Sequence, residues 1–234
     1  MTRILVASFV LVLAASGCGA ARYQLTPEEY GRMARGKGAM PIVKIDPAQP
    51  GGPGPLRLRA APVTPDDVDL TMLLDRMRAT LEQTGGVGLA APQIGIPRRV
   101  VLVLHGTRPA GKRHVEAYLN PRLDWASPEI EDDYEGCLSV DAGFGLVPRP
   151  RSVKVSFDPL GGGARQVVEL TGWDARIMQH ELDHLDGVLF IDKMKGGLLT
   201  ADEARKRRDE LHRQRGWLPP LPAAASQSQP GPKP

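Results

Sequence analysis

Cysteine is nearly absent from this chain, with only Cys18 and Cys137 among 234 residues. Two cysteines cannot make a disulfide framework, so a stable fold has to rest on an apolar core or on a metal. Aromatic residues are also scarce, at 5%. Neither sign of charge dominates: 30 Lys and Arg against 27 Asp and Glu give a net charge of +3. No basic run is interleaved with aromatics, which argues against a nucleic-acid partner. The apolar run from Ile4 to Ala15 is too short to span a bilayer as a helix. What the chain does have is ordinary for a globular protein, 41% hydrophobic and 24% charged residues, together with 26 Gly and 22 Pro. That balance predicts one full-sized domain flanked by loops and tails.

The organisation follows from composition. Arg3, the apolar run and the small residues Ala15-Ser16-Gly17-Cys18 suit a secretory signal over residues 1–17. The pattern resembles a bacterial lipoprotein signal, in which Cys18 is lipidated, anchors the chain to a membrane facing the periplasm or outside, and takes no part in a disulfide. The alternatives are an ordinary signal peptide, or a start near Met33 or Met40 and a cytoplasmic protein. Residues 18–39 read as a flexible tether, 40–216 as the main folded domain, and the proline-rich 217–234 as a disordered tail.

Within the domain, 64–86 reads as a helix capped by Thr64, with Pro65 in its first turn. Leu70, Leu73, Leu74, Met77 and Leu81 form its buried stripe, and Gly85 or Gly86 ends it. Residues 98–105 read as a strand, and 151–157 with 165–170 as a β-hairpin. Residues 172–187 form a helix apolar on more than one face, which belongs inside a domain. A last helix, Thr200 to Gln214, carries a charge run read as a solvated face. Cys137 lies in what reads as an acidic loop.

The stretch "QHELDH" places His180 and His184 four residues apart, on one helical face, where both rings can reach one metal ion. Glu181 is rotated to the same side. A pair of buried core histidines would show the same spacing. Two histidines are also incomplete, because a catalytic metal normally takes three protein ligands and one open position. Downstream only His212 remains, and the one other candidate ligand is Cys137 in "EGCLS".

"GVGLAAPQ" (86–93), "EGCLS" (135–139) and "QHELDH" (179–184), in that order, resemble the three signatures of the peptide deformylases, hydrolases that remove the formyl group from N-formylmethionyl peptides. The likeness runs from about Met40 to Met194; "VPR" (147–149) and residues 172–194 resemble the organellar-type branch. It implies an α+β fold with antiparallel sheets packed around a central metal-binding helix. It also implies one divalent ion on Cys137, His180 and His184, Fe2+ first, with Zn2+, Ni2+ or Co2+ as substitutes. The ion would acidify a water, and Glu181 would take its proton and pass it to the leaving amine. By the same resemblance, the Gln93 amide and the Leu138 N–H would receive the oxyanion.

Gly86, Val87, Trp173, Ile177 and His180 would form the methionine pocket, and Gly86 and Gly88 would let the substrate approach the backbone. Trp173-Asp174 departs from the leucines of the commonest bacterial members, so the pocket's preference is open. Arg149 would orient the loop or the substrate, or be a surface charge; Glu135 would anchor a ligand, or be a solvated acid. A monomer is the expected state. A metalloprotease and a non-catalytic formyl-peptide or metal-binding module are the competing classes.

Overall fold

The structure, a computed structural model, describes residues 24–45, 54–106 and 114–216. The signal, Cys18, most of the loop at 47–55 and the proline-rich tail lie outside the described residues. Strands β1 (Gly88–Ala90), β2 (Val100–His105), β3 (His114–Ala126), β6 (Ser152–Asp158) and β7 (Gln166–Thr171) form one sheet in the order β1-β2-β3-β6-β7. A second sheet pairs β4 (Ile130–Cys137), β5 (Val140–Pro150) and β8 (Lys195–Leu199) in the order β4-β5-β8. All of these pairings are antiparallel. The fold is α+β, as expected.

Helix α2 (Asp69–Thr84) and helix α3 (Gly172–Leu185) cover opposite faces of the larger sheet. The reason is legible in β2, whose residues point alternately to the two sides. Val100 and Leu102 join the α2 stripe of Leu70, Leu73, Leu74, Met77 and Leu81 in one apolar cluster. Val101 and Val103 join Ala175, Ile177, Met178, Leu182 and Leu185 of α3 in another. A strand buried on both faces has no polar side to show, which is why "VVLVL" runs without interruption. Helix α3 also reaches β5 of the smaller sheet, so it lies where the two sheets meet.

Two expectations are corrected. Thr64 does not cap α2: the helix begins at Asp69, with Val68 at the cap position making no side-chain bond. Residues 64–67 instead form a turn, in which Asp67 N–H donates to Thr64 O at 3.0 Å and Pro65 O accepts from Gly161 N at 2.8 Å. Asp67 Oδ1 then accepts from Asp69 N at 3.0 Å, one turn later than predicted. The end at Gly85 is as expected.

The second correction concerns the tether, part of which is folded. Helix α1 (Pro27–Ala34) starts at a capping box of Thr26 and Glu29, buries Met33 against α2, and pairs Glu29 with Arg98 at 2.7 Å. Thr-x-x-Glu before a helical turn is a recognised start signal, hidden here in a polar stretch. Helix α4 (Ala201–Gln214) is mostly exposed, but His212 is buried on Asp133 at 2.9 Å and fastens it to β4.

Candidate metal and formyl-peptide site

Side chains of β4 and α3 reach across to one another, and they build the site. Cys137 does not sit in a loop. It ends β4, paired with Val140 across a two-residue turn of Leu138 and Ser139. Residues two apart on a strand share a face, and accordingly Glu135 and Cys137 both address α3. On the helix, Arg176, His180 and His184 are spaced by four and form a polar stripe toward them.

Cys137 Sγ lies 3.2 Å from His184 Nε2, and His180 Nδ1 lies 2.9 Å from Glu135 Oε2. Candidate ligand atoms of Cys137, His180 and His184 all fall within 4.8 Å of one another. Of the strand's intervening residue, Gly136, a β-carbon would stand 2.7 Å from Phe144 Cδ1, so the side away from α3 is closed by that ring.

The electrostatics suit a cation. Burial alone would raise the Cys137 thiol, but His184 and His180 beside it hold it well below its ordinary value. Glu135 is desolvated too, and Arg149 and His180 outweigh that cost to hold it far below the carboxylate range. Glu181 lacks such support. Burial pushes it up to about 7, against the pull of the neighbouring histidines. Glu181 Oε2 and His184 Nδ1 are buried with no protein hydrogen-bond partner. A thiolate and two imidazoles whose ligand atoms converge beside an unpartnered carboxyl oxygen of Glu181 fit a divalent transition ion.

A cavity of about 520 Å³ opens onto these groups. Gly86, Val87, Gly88, Gln93, Cys137, Leu138, Trp173, Ile177, His180 and Glu181, all expected at the site, line it. His184 sits one layer deeper, 1% exposed. The reason for Gly88 differs from the one expected: a β-carbon there would meet the Glu181 carboxyl and stand 2.8 Å from Ile177 Cγ2. Its bareness makes room for the acid, and not only for a ligand. Gln93 is pinned by its Oε1 on Ala90 N at 2.8 Å, which leaves Nε2 aimed at Cys137 Sγ, 3.6 Å away.

Arg149, expected among the substrate-binding groups, does not line the cavity. It is 3% exposed and spends its guanidinium on Glu135, at 2.6 and 2.8 Å, and on Asp183, at 2.8 Å. It clamps β5 to β4 and α3. Sequence reasoning missed Arg176, which donates to Glu135 Oε1 at 2.7 Å, although a cation between buried Ala175 and Ile177 was a readable sign. It also missed Lys44, Tyr134, Phe144 and Arg208 in the cavity wall. Arg208 comes from α4, donates to Tyr134 O at 2.6 Å and lies 5.7 Å from the Trp173 ring centre.

A family model described as "Polypeptide deformylase" matches residues 41–197. The chain belongs to that family. Curated relatives include the peptide deformylase of Thermotoga neapolitana, 44% identical over 140 residues, which are 60% of this chain and 81% of that protein. Peptide deformylase 2 of Nostoc sp. is 38% identical over 70% of this chain and 90% of its own length. Among solved structures, the Met-Ala-Ser-bound class I type b peptide deformylase of Acinetobacter baumannii is 36% identical. It matches with a TM-score of 0.61, over 68% of this chain and all of its own. The chain is accordingly a hydrolase that removes the N-formyl group from formylated peptides, and it uses a divalent metal ion.

Proposed function

We propose that Cys137, His180 and His184 hold one divalent ion, Fe2+ by preference, and that Glu181 is the general base and acid for hydrolysis of formylmethionyl peptides. The convergence of those three side chains beside a buried, near-neutral-titrating carboxyl carries the reading. The ion, when bound, supplies Lewis acidity toward water and the formyl oxygen. Glu181 accepts the proton of the attacking water and returns it to the departing amine. Burial, which raises the affinity of this carboxyl for a proton, suits it to serve in both directions. Gln93 Nε2 and the Leu138 N–H are the donors for the oxyanion, both held beside Cys137 by the fold.

Gly86, Val87, Trp173, Ile177 and His180 supply the apolar wall for the methionine side chain. The A. baumannii enzyme carries Met-Ala-Ser, and formyl-Met-Ala-Ser is the substrate of choice here. The stretches "VPR" and 172–194 favour the organellar-type branch.

The decisive measurement is formate release from formyl-Met-Ala-Ser by protein purified without oxygen, with metal analysis alongside. One ion per chain and stoichiometric formate are expected, and Cys137→Ala should lose both. Full formate release by Cys137→Ala, or cleavage of an internal peptide bond without formate, would overturn the assignment.

Cys18 is proposed as a lipid anchor. Among the described residues no helix is long and apolar enough to cross a membrane. Radiolabelled palmitate should appear on the protein and vanish in Cys18→Ala; unlabelled full-length protein in the soluble fraction refutes the anchor.

A further inference from the structure

Residues 41–45 run beside the cavity and are stitched to it by two backbone bonds. Val43 N–H donates to Gln93 O at 2.8 Å, and Ile45 N–H donates to Ser139 O at 3.0 Å. Between them Lys44 Nζ donates to Leu138 O at 2.7 Å and to Asp141 Oδ1 at 2.6 Å. The Lys44 side chain is 47% exposed, so core packing does not explain its placement.

The carbonyl it grips shares one planar peptide unit with the Ser139 N–H, which donates to Cys137 Sγ at 3.4 Å. A cation therefore sits at the oxygen end of that unit and a sulfur at its nitrogen end. The ammonium polarises the peptide and strengthens the N–H as a donor to sulfur. The same grip fixes the orientation of Leu138, whose own N–H is the proposed oxyanion donor.

We infer that Lys44 is a positioning residue for the reaction, acting through the Leu138–Ser139 peptide on both the Cys137 sulfur and the oxyanion donor. This rests on the assignments of Cys137 and Leu138 above. Nothing in the three sequence signatures includes Lys44, which lies far upstream of all of them.

The test uses the full chain loaded with Co2+, whose thiolate charge-transfer band reports the electron richness of the bound sulfur. Lys44→Met should move that band to longer wavelength, because a less polarised N–H withdraws less charge. It should also lower kcat roughly tenfold with KM unchanged, the size of effect a slightly misplaced donor produces. Lys44→Arg, which keeps the charge, should restore most of both. A band that stays in place in Lys44→Met, or a loss that Lys44→Arg shares in full, overturns the inference. No charge-transfer band in the wild-type protein would instead remove Cys137 as a ligand, a separate failure.

Discussion

Glu181→Gln is expected to lower kcat for formate release roughly 10³-fold while the protein stays folded and keeps its metal, the range a positioned general base commands. The amide matches the carboxyl in shape, so Gly88 and Ile177 still accommodate it. Folding does not depend on the charge, since Glu181 Oε2 has no protein partner and burial already raises its pKa to about 7. What the amide cannot do is take up a proton. Metal content measured on the same sample separates the outcomes. A near-normal rate would move the base elsewhere, and a lost ion would make Glu181 part of the binding shell.

The second large effect is on stability. Glu135 is 5% exposed and accepts from Arg149 at 2.6 and 2.8 Å, from Arg176 at 2.7 Å, and faces His180 Nδ1 at 2.9 Å. Glu135→Ala leaves two guanidinium groups buried together without that counter-charge. Breaking a buried pair from one side costs about 3–5 kcal/mol. For a domain of this size the thermal midpoint should fall by on the order of 10 °C. The same change frees the His180 ring, so chelator competition should show metal binding weaker by roughly 10–100-fold. An unchanged midpoint would mean that Arg149 and Arg176 find other partners, and the clamp described above would be secondary.

How much of this could be read beforehand depends on the range of the interaction. The α2 stripe, the β6–β7 hairpin and the spacing of His180 and His184 are local, repeating within a few residues, and each stands where periodicity put it. The family resemblance also pointed to Cys137 as a third candidate ligand, and its sulfur lies with the two histidines within 4.8 Å. Its setting was misjudged, because β4 is acidic and lacks alternation: Asp133 and Glu135 are buried for the sake of His212, Arg149 and Arg176. A buried charge breaks the apolar pattern that reveals a strand, and its partners lie on other elements. Arg149 failed as a substrate group for the same reason. Nothing in "VPR" tells that both ends of the guanidinium meet carboxylates from β4 and α3.

Helix α4 lies beyond the matched segment 41–197, yet its Arg208 forms part of the cavity wall and its His212 is locked into the smaller sheet. A recombinant version trimmed to the family boundary would therefore lack one side of its own reaction chamber. Its substrate preferences would then describe the truncation and not the natural chain.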